Sequence, residues 1–245
     1  MVGLVGFKTQ PTCTKNSFTY PMIHPDTISF LRDLSRNNNR DWFQAQKKRY
    51  IKAKSDFELM VGDLIEEISK VQDLGNTQPK ECIFRINRDI RFSKDKSPYK
   101  GWFSAAIGLG GRHSGKVDYY IHLQPGGETF LGAGMWSPTP AQLAKYRQEV
   151  DYNADELKKI IQQPEFRAYF PEKHGERMKT SPKGYSKDHP EIDLLRQKQL
   201  FFSHRFTDKE VLSENFVKNI TQGVVLIKPF CDFLNYIFFE EPQEI

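Results

Sequence analysis

Between residues 101 and 135 the chain carries three segments of strand character, and what separates them is short and rich in glycine. Residues 108–115 divide segment 101–109 from 116–123, and Pro125, Gly126 and Gly127 divide the latter from 128–135. A parallel pair needs a crossover of a dozen or more residues, so these connections restrict the region to an antiparallel meander. Segment 82–92 alternates in the same manner and is read as a strand preceding the other three. The expectation is a central antiparallel sheet, a meander of about four or more strands.

Helical signals flank this block on both sides. Pro25 and Asp26 open a segment in which Ile28, Leu31 and Leu34 recur at helical spacing. Asn37, Asn38 and Asn39 make a break, and an asparagine there is placed to cap a helix from about Arg40 that carries Trp42, Phe43 and Tyr50. A third helix carries Phe57, Met60, Val61, Leu64, Ile68 and Val71 and is expected to end near Leu74, with Gly75 and Asn76 as stop signals. After the strands, Pro138 and Pro140 suit a first turn leading into Leu143, Tyr146 and Val150. Asn153 is placed to cap a segment with Leu157, Ile160 and Ile161. Thr207 and Glu210 have capping-box spacing for a helix toward Val217, and a last apolar helix runs to about Phe239. Helices, then strands, then helices describe an α+β fold in one domain, 22–240, with 1–21 as a disordered tail and Met22 as the natural start or first structured residue.

Composition narrows the class. Hydrophobic residues make up 38% and charged residues 27%, which supports a globular core rather than disorder. The longest greasy stretch, 224–239, is interrupted by Lys228, Pro229 and Asp232, too short and too polar for a membrane span. Three widely spaced cysteines, Cys13, Cys82 and Cys231, form no CxxC pair, and residues 1–20 lack the pattern of a signal peptide. A cytoplasmic location is the expectation, with no membrane, no metal and no cofactor.

The net charge of +5 is concentrated. Segment 83–100 holds Arg85, Arg88, Arg91, Lys94, Lys96 and Lys100 against Asp89 and Asp95, a balance of +4. Read as a strand, 83–92 puts Phe84, Ile86, Arg88, Ile90 and Phe92 on a core face, with Arg88 set for a structural ion pair. Ile83, Arg85, Asn87, Asp89 and Arg91 then share a face that is wet, paired or a binding surface, because an unpaired buried ion costs several kcal/mol. Arg85 and Arg91 lie roughly 20 Å apart in an extended strand and Asp89 and Arg91 about 7 Å. A compact anion therefore belongs at the strand's C-terminal end, where arginine forks and lysine point charges gather. The bland alternative is internal pairing with solvated lysines.

Several motifs fail on inspection. Residues 110–116, GGRHSGK, match the phosphate-loop pattern up to the lysine, but Val117 offers no hydroxyl and the context is strand–turn–strand, so a tight hairpin is the better reading. The six histidines are scattered without metal-ligand spacing. His122 reads as a satisfied sheet residue, and the sequon at Asn219 lies in a helix. Pro182, Lys183, Gly184 and Tyr185, followed by Asp188, His189 and Pro190, form an irregular passage that either completes a site or is an exposed loop.

The run RINRDIRFSKDKSPYKGWF, preceded by NNNRDWFQAQKKRY and followed by YYIHLQPGGETFLGAGMW and SPKGYSKDHP, resembles the uncharacterised family called domain of unknown function 2461. The resemblance spans about residues 23–239 and implies a stand-alone domain found chiefly in bacteria, with no established activity. It marks Asn39, Trp42 and Phe43, then Arg85, Arg88, Asp89, Arg91 and Phe92, then Lys94, Asp95, Lys96, Pro98, Tyr99 and Lys100, and finally Pro182, Lys183, Gly184, His189 and Pro190. Where the family has a bulky residue after Ile86, this chain has Asn87. The resemblance adds weight to Lys183 and His189 as site members.

The leading expectation is binding of a phosphate-bearing or other anionic ligand, such as a nucleotide or nucleic acid, at residues 85–100. Arg85, Arg91, Lys94, Lys96, Lys100 and Lys183 are its candidate contacts, with Tyr99, Trp102, Tyr119 and Tyr120 as stacking surfaces. An alternative is a metal-independent hydrolase or transferase on a phosphorylated or acidic substrate, with Asp89 or His189 as base and Tyr99 orienting the substrate. A third is a structural protein whose Arg–Asp pairs lock the loop. Oligomeric state is not readable.

Overall fold

The computed structural model describes residues 23–239; the expected tail and Met22 lie outside the described residues. Helices α1 (Pro25–Arg36), α2 (Arg40–Ala45), α3 (Lys47–Ile68) and the one-turn α4 (Pro79–Cys82) come first. Strands β1 (Phe103–Ile107), β2 (Tyr119–Leu123) and β3 (Thr129–Met135) follow. Then come α5 (Pro140–Ile161), α6 (Pro164–Tyr169), β4 (Glu172–His174), α7 (Ile192–Leu195), β5 (Leu200–Phe206), α8 (Asp208–Val211) and α9 (Phe216–Phe239). The protein is α+β, with one antiparallel five-stranded sheet in the order β1-β2-β3-β5-β4, flanked by helices.

The helix starts follow local chemistry. The Asn39 side chain accepts the Trp42 N–H at 2.9 Å and starts α2. Thr139 with Gln142, and Thr207 with Glu210, form reciprocal capping boxes at α5 and α8. The ends differ from expectation in two places. Helix α3 stops at Ile68, before Leu74. Asn153, at φ −145°, ψ 49°, divides α5 at a kink where a new helical segment is expected to start, and its side chain donates to Glu156 at 3.3 Å. Helix α8 ends at Val211 after one turn, and α9 starts afresh at Phe216.

The three-strand meander forms, but the expected strand at 82–92 does not. Cys82 closes α4, and residues 83–100 form an irregular two-legged arm held by isolated bridges, Ile83 to Ala105 and Asn87 to Tyr99. The backbone N–H groups of Phe84, Arg88 and Lys100 donate to the carbonyls of Ser104, Pro98 and Ile86 at 2.9, 3.0 and 2.8 Å. Arg88 interrupts the otherwise apolar face of Phe84, Ile86, Ile90 and Phe92, the other face carries Arg85, Asp89 and Arg91, and Pro98 lacks a donor for the returning leg. The fourth and fifth sheet positions go instead to β5 and β4, which return from the C-terminal half.

Alternation gives the sheet two unlike faces. Phe103, Ala105 and Ile107, Tyr119, Ile121 and Leu123, and Leu131, Ala133 and Met135 are buried. This side meets α3 and α9, which carry buried stripes such as Phe57, Met60, Leu64 and Ile220, Val224, Ile227. Gly223 lets α9 approach β3 closely, since a Cβ there would sit 2.5 Å from Leu131 and 2.6 Å from the Tyr169 ring. The opposite face presents Ala106, Tyr120, His122, Phe130 and Phe201, all only partly buried.

Candidate functional site

The half-open face is a cleft of about 610 Å³ lined by Phe84, Tyr120, His122, Phe130, Trp136 and Phe201, with Arg112, Lys116, Asp118, Ser137 and Gln142 among its polar groups. Its floor comes from strand alternation on β2 and pairing with β3. His122 lies opposite Phe130 across the β2–β3 pair, and their rings stack at 4.9 Å and 12°. Tyr120 sits 5.7 Å from Phe130 and 6.1 Å from Phe84. Trp136 meets Phe201 edge-on at 5.4 Å and stays 54% exposed at the mouth. Gly132 is what lets Phe201 lie flat on the sheet, because a Cβ there would fall 2.5 Å from two of its ring carbons.

One end of the cleft is charged. The glycine-rich connection joins β1 and β2 as an antiparallel hairpin, but it is an eleven-residue loop, 108–118, with a 3-10 turn at Gly111–His113 and not the tight turn expected. It also delivers two cations. Arg112 is aimed by donating to the carbonyls of Lys80 and Glu81, both at 2.7 Å, and Lys116 stands exposed. Asp118 lies beside them, accepting from Ser114 Oγ at 3.1 Å. Burial pushes its carboxyl up to about 6, against the opposing pull of Ser114 and Lys116. Asp118 and His122 are about 13 Å apart along β2, so they mark the two ends of the trough. His122 contacts Gln124 Oε1 at 2.9 Å and Tyr120 Oη at 3.4 Å, a satisfied sheet residue, and burial holds its pKa below the ordinary value.

The arm borders this cleft rather than forming it. Phe84 at its base is a cleft wall, and Lys100 lies over that ring with its Nζ 5.5 Å from the centroid. Burial, then Arg85, lowers the Lys100 pKa. Beyond the Asn87–Tyr99 bridge the charges close on one another. Arg91 grips Asp89 with Nε at 3.0 Å and Nη2 at 2.7 Å. Arg88 pairs with Asp95, the structural ion pair expected of it, and Asp95 also accepts from the Ser97 N–H and hydroxyl. These bonds, Ser97 first and Arg88 after, hold Asp95 far below the ordinary carboxylate range. Lys96 donates to the Ile90 carbonyl at 3.0 Å, whereas Arg85 and Lys94 point to solvent without a carboxylate partner among the described residues. Phe92 is not core: it is 94% exposed.

Tyr99 and Tyr119 are not stacking surfaces. Tyr99 is buried against Phe43, ring to ring at 3.9 Å, and its backbone is clamped by Asn38, which accepts its N–H at 3.1 Å and donates to its carbonyl at 2.8 Å. Tyr119 points into the helix-covered core. Trp102, 5.2 Å from His122, and Tyr120 remain accessible. Arg88, Asp95, Tyr99 and Trp102 line a second cleft, of about 420 Å³, with Arg32 and Arg36. Two of its three arginines already hold a carboxylate, Arg32 with Asp208 and Arg88 with Asp95.

Lys183 and His189 lie elsewhere. His189 uses both ring nitrogens to fasten its loop, Nε2 to Asp151 on α5 at 2.9 Å and Nδ1 to the Glu191 N–H at 3.0 Å. Lys183 is exposed, and among the described residues no hydrogen bond or ion pair joins either residue to the arm. At the far sheet edge His174, Ser203 and Glu172 contact one another, but Glu172 meets the same imidazole nitrogen as the serine, and Ser203 is buried. A nucleophilic triad needs the acid on the other nitrogen. No group of three or more His, Cys, Asp or Glu among the described residues is placed to hold a metal ion, and no described helix is long and apolar enough to cross a membrane.

Fold and cleft together define an antiparallel sheet backed by helices on one face and half-open, aromatic and cation-rimmed on the other. The chain belongs to the family described as a conserved hypothetical protein (DUF2461), which it matches over residues 26–233. No curated protein and no solved structure matches it.

Proposed function

We propose that the protein binds a ligand joining a planar aromatic ring to an anionic group, a nucleotide being the chemistry that fits, in the cleft on the open sheet face. The observation that carries this reading is the pairing of stacked, half-exposed rings with Arg112 and Lys116 at one end of the same trough. Ring faces bind bases without sequence preference, and guanidinium and ammonium groups supply the phosphate contacts. The anion is thus assigned to the β1–β2 connection, with Lys100 over the Phe84 wall as a further cation, rather than to the self-paired arm tip. Calorimetric titration with a nucleoside monophosphate, the matching nucleoside and inorganic phosphate tests it. The monophosphate should bind best, Phe130→Ala should weaken it about 5- to 150-fold, and Lys116→Ala should weaken it while sparing the nucleoside. Equal binding of all three, or none, overturns the reading.

A hydrolase or transferase acting on the same ligand is the second reading, favoured by Asp118. A carboxyl with a pKa of about 6 at the cationic end of the cleft suits a general acid–base. Asp89 and His189 are both engaged in structural pairs. Turnover of a nucleotide lost in Asp118→Asn with binding retained supports this reading; binding without turnover in the wild type discards it.

A further inference from the structure

The arm tip carries a feature the cleft does not use. Phe92 is 94% exposed, more than the other large apolar side chains on the described surface. The Arg91 guanidinium lies over its ring at 5.7 Å and is itself fixed by two hydrogen bonds to Asp89. One side of the ring is therefore braced by a held cation, and the rest is presented to solvent. With Arg88 paired to Asp95 and Arg91 to Asp89, the tip's excess positive charge rests on Lys94 and Lys96. A braced aromatic ring on the same loop as two exposed lysines, of which Lys96 also donates to the Ile90 carbonyl, has the composition of a stacking platform beside a phosphate track.

We infer that the ligand of this protein is a polymer, a single-stranded nucleic acid, with one base stacked on Phe92 and its backbone running past Lys94 and Lys96 while another nucleotide occupies the sheet-face cleft. This rests on the nucleotide reading of the cleft. The arm itself connects the two places: Phe84 at its base is a cleft wall, and Phe92 is eight residues further, at most about 26 Å away along an extended chain. A mononucleotide reaches only one of them. An anionic membrane is the competing occupant for an exposed phenylalanine among lysines. It is disfavoured because one aromatic side chain is a weak anchor, and this ring lies on an irregular loop and not on an amphipathic helix.

The test is fluorescence anisotropy with a labelled single-stranded oligonucleotide of about 15 nucleotides, beside titration with a mononucleotide. Phe92→Ala should weaken the oligonucleotide roughly tenfold and leave the mononucleotide unchanged. Replacing Lys94 and Lys96 together by alanine should flatten the dependence of log affinity on log salt by about 1.4. Phe92 packs into no core, so its loss does not threaten folding. An oligonucleotide that fails to bind, or binds Phe92→Ala as it binds the wild type, overturns the inference and leaves the cleft reading standing. Failure of the mononucleotide alone overturns the cleft reading instead. Phosphatidylserine vesicles bound by the wild type and released by Phe92→Ala, with oligonucleotide affinity unmoved, assign the tip to a membrane.

Discussion

Asp118→Asn probes the charged end of the cleft without any ligand. In the unfolded chain this aspartate titrates near its ordinary 3.8; folded, burial raises it to about 6. The folded state therefore holds the proton more tightly. Well below 3.8 both states are protonated and the group has no effect on stability. As pH rises from there through 6, the folded state must either keep a proton the unfolded chain has released or bear a poorly solvated carboxylate, so stability falls. Above 6 the penalty is complete, and the interval corresponds to at most about 3 kcal/mol. The neighbouring Cys82 and Cys231 thiols are both pushed up by burial and do not titrate in this window. Asparagine is neutral and offers Ser114 the same acceptor. Urea unfolding at a series of pH values should show the variant more stable than the wild type by up to about 3 kcal/mol at pH 7.5, with the gain shrinking toward zero near pH 4. A difference that is constant with pH, or absent throughout, would refute the claim that Asp118 is a strained, poorly hydrated acid. The same titration predicts that the cleft's affinity for an anion rises as pH drops through 6, where Asp118 loses its charge.

Three further outcomes follow from the packing. Asn38→Ala removes both hydrogen bonds that clamp the Tyr99 backbone and should cost about 1–3 kcal/mol in urea, with faster amide exchange confined to the arm's returning leg. Gly223→Ala places a methyl group against Leu131 and Tyr169 and should destabilise by about 1–3 kcal/mol, read as a lowered melting temperature. Gly132→Ala drives a methyl group into the Phe201 ring at 2.5 Å and against the Phe202 carbonyl at 2.9 Å; nucleotide affinity should fall with the displaced ring, and the unfolding midpoint should fall with the strained β3–β5 pairing.

The elements written in local chemistry were readable. Asn39 and Thr207 each announce a helix through a side-chain oxygen three residues before the N–H it accepts, Pro138 and Pro140 mark the start of α5, and the glycine-rich connections fix the β1–β2–β3 meander. The sheet's completion by β5 is a contact between residues about 70 apart, such as Met135 with Leu200, and no local signal encodes it. The arm departs from the strand its alternation predicts because Arg88 breaks the apolar face and Pro98 breaks the returning ladder. The cleft was half legible. Trp102 and Tyr120 were singled out, but Tyr99 and Tyr119 were counted with them because their facing depends on tertiary packing. Arg112, Lys116 and Asp118 were missed: rejecting 110–116 as a phosphate loop set aside its cations along with the motif. Counting alternate positions on β2 from His122 back to Asp118 would have placed that carboxylate on the same face. Phe130 and Phe201 needed the β3–β5 pairing.

The most direct check uses the three tryptophans as reporters. Trp136 stands at the cleft mouth and Trp102 beside His122, while Trp42 stacks near Phe30 on α2, away from the sheet face. Adding a nucleoside monophosphate to isotopically labelled protein should move the indole N–H resonances of Trp136 and Trp102 in a saturable way and leave that of Trp42 in place. No movement, or equal movement of all three, contradicts a ligand seated on the open face of the sheet.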